Sequence, residues 1–314
     1  MEFKLVYGNH GRNPFHIMDT LLLVRFSLEA LGHKADLEEQ IVPGKTNILI
    51  ECFTAPFVES MREARQTAGT DFIIIATEFL TGQTFNDFEA TATPQAQTGQ
   101  AASHYDNADY WRERFQAFLG AQRETRAIWH LADSQVKPFQ AATGHPKVGY
   151  LPHGYVDEFA RVHHKADAHK DIDALFTGHL TEHRRKIIGD LQQLGIKALA
   201  TQPLNFPQRE DLVARSKIAL NLKQNPSWQY PSNSRFHYHL SNDSFLVSEH
   251  CPVACDLSPY VEEVSVEQLA AACRDIISAG NWQSRARQNK ERFIAERPMA
   301  RLMQDLLDAS FSNT

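Results

Sequence analysis

Short β-branched or apolar runs alternate along this chain with longer stretches whose apolar residues recur every three or four positions. That alternation is the signature of parallel strand–helix units and argues against all-α and all-β folds. The spacing predicts strands at Phe3–Tyr7, Asn47–Glu51, Phe72–Thr77, Ala127–Leu131 and Lys147–Leu151, with a helix over Ile17–Leu31 stopped by Gly32. A second series follows: strand Ala174–Thr177, helix Glu182–Leu194, strand Ala198–Thr201, helix Arg209–Ser216, strand Ile218–Leu222, helix Arg235–Leu240, strand Phe245–Ser248 and helix Val266–Ala279. Pro298 divides two terminal helices, Trp282–Glu296 and Met299–Ala309.

A chain of 314 residues is long enough for two domains. The junction is expected after Leu151, where Pro152-His-Gly-Tyr-Val-Asp-Glu-Phe159 and the polar stretch Arg161–Asp171 interrupt the pattern. Ala90–Ala108, rich in Ala, Thr, Gln and Gly, reads as a loop, either a functional excursion or an insertion; a helix over Asp109–Arg123 follows. Hydrophobic residues at 42% and charged residues at 22% argue against collagen-like, disordered and coiled-coil classes. No apolar run approaches bilayer length and the first residues carry no secretory pattern, so no integral membrane contact and a cytoplasmic location are expected. Lys and Arg (32) against Asp and Glu (38) give a net charge of −6, which argues against a nucleic-acid partner held through its phosphates. Cysteines at 52, 251, 255 and 273 are too few for a disulfide scaffold and are read as reduced thiols.

Three segments carry candidate chemistry. The first is the turn Tyr7-Gly-Asn-His-Gly-Arg-Asn-Pro-Phe-His16, which is either an anion-accepting strand-to-helix turn or an ordinary one, and lacks the dinucleotide glycine fingerprint. The second is Ala174-Leu-Phe-Thr-Gly-His-Leu-Thr-Glu-His-Arg-Arg185, where Gly178 precedes Arg184, Arg185 and Lys186. A glycine turn followed by guanidinium groups suits a diphosphate, although such a basic run is also a common solvated helix face. The third joins Ile218-Ala-Leu-Asn-Leu-Lys223 to Pro231-Ser-Asn-Ser-Arg-Phe-His237, in which a Ser-rich helix start places Arg235 beside open N–H groups; a plain Ser cap fits the same residues.

Tyr150–Phe159, Phe176-Thr-Gly178, Lys217-Ile-Ala-Leu-Asn-Leu222 and Pro231-Ser-x-Ser-Arg-Phe236 occur in an order that resembles the CgeB-like glycosyltransferases, over about residues 148–296. The resemblance implies the α/β GT-B fold, two facing Rossmann-like domains with a C-terminal helix crossing back to the first. It implies an acceptor-side domain at 1–152 plus 299–314 and a nucleotide-sugar-binding domain at 153–298. It also implies that Gly178, Arg184 and Arg235 hold the donor diphosphate, with Asn221, Lys223, Ser234 and Tyr238 nearby. Tyr238 stands where the family usually has a ribose-binding glutamate, and Asn242-Asp243 replaces a glycine-containing turn. A tyrosine cannot make a bidentate carboxylate contact to a diol.

On the acceptor side His10, Glu51 and Glu78 stand at predicted strand ends, and His10 and Glu78 are the candidate bases for an acceptor hydroxyl. His163, His164, His169, His179 and His183 cluster in sequence, as do His250, Cys251 and Cys255, but neither group has zinc-site spacing, and no metal or cofactor is expected. Trp228 and Tyr230 are candidate stacking rings. The expected function is metal-independent transfer of a sugar from a nucleotide-activated donor to a glycan, protein or small-molecule acceptor. The alternatives are a nucleotide-sugar epimerase or hydrolase, and a catalytically silent GT-B-shaped binding protein.

Overall fold

The computed structural model describes residues 1–10, 14–86, 108–202 and 204–312. Of the loop expected at Ala90–Ala108, all but Ala108 lies outside the described residues. By its internal contacts the chain divides into two units: residues 1–14, 28–152 and 303–314 form the first, and 15–27 and 153–302 the second. Residues 15–27, which the sequence places in the first domain, belong to the second unit because Asp19 binds Arg209 through both carboxylate oxygens and Phe15 meets Phe206 edge-on. The returning C-terminal segment correspondingly starts at Met303.

The first unit carries strands β1 (Glu2–Val6), β2 (Lys34–Glu38), β3 (Thr46–Ile50), β4 (Asp71–Ala76), β5 (Ala127–His130) and β6 (Val148–Tyr150). They pair in parallel in the order β2-β1-β3-β4-β5-β6. Helices α1 (Phe15–Ala30), α2 (Ala55–Ala68), α3 (Ala108–Ala121) and α4 (Val136–Thr143) supply the crossovers. Strand β2 has no counterpart in the expected strands: Lys-Ala-Asp-Leu-Glu is charged at alternate positions, as suits a sheet edge, and Lys4 reaches across to Asp36 at 2.6 Å. Helix α2 starts where Thr54 accepts from the Phe57 N–H and stops at left-handed Gly69.

The second unit carries β7 (Ile172–Thr177), β8 (Ala198–Thr201), β9 (Ser216–Asn221), β10 (Phe245–Glu249) and β11 (Glu262–Val264), parallel in the order β11-β10-β9-β7-β8. Around them run α5 (Glu182–Gln193), α6 (Phe206–Ala214), α7 (Asn233–Ser241), α8 (Val266–Ala279) and α9 (Trp282–Glu296). The core under β7, β9 and β10 is built from Phe176, Ile218, Leu220, Phe245 and Val247 against Leu269 and Cys273 of α8. The turn at Asn242-Asp243 puts Asp243 at φ +59°, a left-handed position that aspartate tolerates and that a glycine would fill without strain. The last helix, α10 (Met299–Phe311), ends on the first sheet, where Trp129 Nε1 donates to Ser310 Oγ at 2.8 Å. No described helix is long and apolar enough to cross a membrane.

Candidate functional site

In a doubly wound sheet, ligands bind beyond the carboxyl ends of the strands where the strand order reverses. In the second sheet that point lies between β7 and β9, so the residues placed there are Thr177-Gly178 and Asn221-Leu222-Lys223. Gly178 has φ +146°, and a Cβ on it would lie 3.0 Å from Arg235 Nη2 and 3.3 Å from the Phe176 ring. Its conformation favours glycine, and a methyl there would press on both neighbours.

Two guanidinium groups converge on this turn. Arg235, in the first turn of α7, donates from Nη1 to Asn221 Oδ1 at 2.7 Å and from Nη2 to the Thr177 carbonyl at 3.2 Å. Arg184, in the first turn of α5, donates to the carbonyls of His179, Leu222 and Lys223 at 2.7–3.2 Å. Each sits with its Cζ 5.0 Å from the centroid of the same buried Phe176 ring. Among the described residues neither is ion-paired to a carboxylate; each of these acceptors is a neutral oxygen. Burial pushes Arg184 down to about 10 and Arg235 down to about 9, Arg184 adding repulsion to the latter. Those directions record what it costs to desolvate two neighbouring cations, a cost that the Glu249 charge offsets only in part at Arg184 and that a bound anion would reduce.

The surrounding residues hold this arrangement. Asn221, 2% exposed, braces Arg235 and donates from Nδ2 to Ser248 Oγ at 3.0 Å. Glu249, at the end of β10, accepts from the Lys223 N–H at 2.9 Å and lies 2.9 Å from His183 Nε2, fixing the loop after β9. Lys223 Nζ donates to the Pro226 carbonyl at 2.8 Å. Ser234 lies in the first turn of α7, whose cap residue Ser232 makes no side-chain hydrogen bond to the helix. Thr201 pairs with Thr177 across β7 and β8, and its buried hydroxyl has no hydrogen-bond partner among the described residues.

Tyr238 is placed differently from the expectation. It is 3% exposed, and its ring lies 3.9 Å from the Arg209 guanidinium and edge-on to Phe159 and His239. Burial pushes its phenol up to about 12. Phe176, Thr201 and Glu249 were not singled out as site residues. Strand ends finishing on a polar residue, as in Ser248-Glu249, are the signal that was available for the last.

Comparison with solved structures gives matches along most of the chain. AviGT4, a glycosyltransferase involved in avilamycin A biosynthesis, superposes with a TM-score of 0.54 at 13% identity, over 99% of this chain and 97% of its own. The DNA-modifying β-glucosyltransferase, solved with and without its substrate uridine diphosphoglucose, gives 0.54 at 8% identity over 99% of each chain. TarM gives 0.53 at 7% identity over 85% of this chain, which spans 55% of TarM's length. The fold is GT-B. No protein-family profile and no curated protein matches the sequence.

In this GT-B chain the first unit treats its charges in another way. Glu51, 1% exposed at the end of β3, lies 2.6 Å from Arg114 Nη2 and accepts from the N–H groups of Thr77 and Glu78. Glu78 lies 3.1 Å from Arg114 Nη1 and accepts from Asn86 Nδ2 at 2.7 Å. Burial pushes Glu51 up to about 7 against the pull of Arg114; Arg114 is itself raised, because Glu51 and Glu78 outweigh its own burial. His10 Nε2 donates to the Ile50 carbonyl at 3.2 Å. Of the clustered histidines, His183 pairs with Glu249 and His164 with the Asn242 carbonyl; among the described residues no three His, Cys, Asp or Glu gather as for a metal. Trp228 and Tyr230 are half-buried and edge-on, 5.9 Å apart.

Proposed function

We propose that this chain is a nucleotide-sugar-dependent glycosyltransferase of CgeB-like type whose second unit binds the donor diphosphate at Gly178, Arg184 and Arg235. The observation that carries the proposal is the pair of half-buried guanidinium groups on one Phe176 ring, hydrogen-bonded to neutral oxygens. In transfer the bond from the anomeric carbon to the diphosphate oxygen breaks, and negative charge builds on the leaving diphosphate. Arg184 and Arg235 would neutralise that charge in place of a divalent cation, while the N–H groups at the start of α7 add donors. Asn221 and Lys223 then act as the braces that keep Arg235 and the loop in position, and Ser234 as a further donor. That two of the GT-B structures above are glycosyltransferases by name, one of them acting with uridine diphosphoglucose, supports this class.

For the acceptor, a glycan, protein or small molecule, His10 and Glu78 are the two candidate bases. The Glu78 carboxylate oxygens already accept from Arg114 and Asn86. A second reading, a catalytically silent binder, is favoured by Tyr238: its burial under Arg209 leaves no carboxylate at the position expected to hold a ribose. Thermal shift with UDP, GDP, ADP, CMP and dTDP, with and without chelator, separates them. The transferase reading expects one nucleotide to raise Tm regardless of chelator, by the equivalent of about 2.7 kcal/mol at a hundred times Kd, and expects Arg235→Ala to abolish the shift. No shift with any nucleotide overturns it in favour of the silent binder.

A further inference from the structure

Residues 162–170, which lead into β7, bury little apolar surface: residues 163 and 165–169 are exposed. Two ionisable side chains anchor them, half-buried His164 and Lys170, which is 7% exposed. Lys170 Nζ lies 5.2 Å from the centroid of the Trp282 ring and donates to the Ser216 carbonyl at 2.8 Å, the Ala214 carbonyl at 2.9 Å and His164 Nδ1 at 3.2 Å. His164 Nε2 in turn donates to the Asn242 carbonyl at 2.7 Å. Asn242 closes α7, and its buried side chain donates to the Tyr238 carbonyl and accepts from the N–H groups of Arg161 and Val162 at 2.8 and 3.0 Å. The Lys165 N–H adds a bond to the Ala214 carbonyl at 3.0 Å.

These partners fix the protons. A carbonyl only accepts, so the His164 hydrogen is on Nε2, and Nδ1 carries the lone pair that receives Lys170. The three acceptors around Nζ use all three N–H bonds of an ammonium. Protonating His164 would put a hydrogen on Nδ1 against that ammonium, donor facing donor. Deprotonating Lys170 would leave two N–H bonds for three acceptors and a lone pair facing Nδ1. Moving the His164 hydrogen to Nδ1 would mend that fault only by turning a bare Nε2 towards the Asn242 carbonyl. Burial pushes Lys170 down to about 8 and pushes His164 below its ordinary value, Lys170 adding repulsion. The surrounding charges are themselves engaged: Asp167, which favours the ammonium, accepts from Gln283 Nε2, and Arg215 is paired with Asp171 and Asp211. Asp243 and Lys290, 3.8 Å apart, act on His164 with opposite signs, and His164 disfavours a charge on buried His239 of α7.

We propose that Lys170, His164 and Asn242 form a latch, closed only while Lys170 is charged and His164 neutral, that holds residues 162–170 on the end of α7 and releases them both in acid and in alkali. A segment with so little buried apolar surface can open locally while the sheet beside it stays folded. The latch stands whether or not the chain transfers a sugar.

The test uses the full chain: amide exchange corrected for intrinsic rates, from about pH 5 to about pH 9.5, with the amides of β7 as internal reference, and nitrogen NMR of the His164 ring. Val162 and Lys165 should be best protected near neutral pH and lose about tenfold in each direction while β7 holds. The ring should carry its hydrogen on Nε2 at pH 7. His164→Gln supplies an amide to donate to Asn242 and an oxygen to accept from Lys170, without titrating. It should lose the acid limb of the profile and keep the alkaline one. Lys170→Met should leave Val162 and Lys165 poorly protected at every pH. A flat profile in the unaltered protein, a loss that tracks β7, a hydrogen on Nδ1 at pH 7, or an acid limb that survives His164→Gln overturns the proposal, and none of these four depends on Lys170→Met folding.

Discussion

The two units handle buried cations in opposite ways. In the first, Lys4 sits among Glu2, Asp36 and Glu38, and Arg114 between Glu51 and Glu78; both bases are raised by their carboxylates. In the second, Arg184 and Arg235 are held by backbone and amide oxygens, and Lys170 donates to the carbonyls of Ala214 and Ser216; all three are lowered by burial. Arg209 with Asp19, Arg297 with Asp256 and Lys223 with Glu249 are the exceptions named there. A cation matched by carboxylates is finished as structure. One left on neutral acceptors is still able to gain from an anion, and at a sheet's reversal point that anion is a ligand.

The largest expected effect separates the units by acid. The second buries His153, His164, His237 and His239, all lowered by burial, whereas the first has His130 and the less buried His33. Both His237 and His130 are pushed down to about 4. A histidine that is neutral when folded contributes stability above its unfolded value near 6.5. That contribution is lost as pH falls, by about 1.4 kcal/mol per pH unit for each group. Hydrogen exchange between pH 6.5 and 4 should show amide protection failing in the second unit first; simultaneous loss would break the comparison.

Next in size, Arg114→Met should destabilise by about 3–5 kcal/mol in chemical denaturation, since it strands buried Glu51 beside Glu78. Adding Glu51→Gln should recover part of that loss. Arg235→Ala, by contrast, should change the stability of the unliganded protein by less than about 1 kcal/mol while weakening UDP by about a hundredfold. Arg235→Lys keeps the charge without the fork and should cost about tenfold. Gly178→Ala is expected to destabilise by about 1–2 kcal/mol, because φ +146° strains any side chain and the new methyl presses on Arg235; denaturation midpoints check this.

Much of the fold was legible in strand and helix periods. Helices α8 and α9 begin and end at the predicted residues, Val266–Ala279 and Trp282–Glu296. Strands β2 and β11 were not, because Lys-Ala-Asp-Leu-Glu and Glu-Glu-Val are edge segments whose charges hide the apolar alternation. At the site, the glycine turn and the two arginines could be picked from sequence, since φ-permissive and cationic residues announce themselves by type. The cage around them could not: the carbonyls of Thr177, His179, Leu222 and Lys223 have no sequence signature, and Phe176 reads as core. The packing of Arg209 on the Tyr238 ring is likewise hidden, because Arg209 comes from a helix whose approach no local pattern encodes.

The central claim is that the second unit's two guanidinium groups await a diphosphate. Calorimetric titration of the protein with uridine, UMP and UDP, in chelator, tests it most directly. The account predicts affinity rising with each phosphate, with the gain from UMP to UDP lost in Arg235→Ala. Uridine binding as tightly as UDP, or a UDP affinity unchanged by Arg235→Ala, would contradict it.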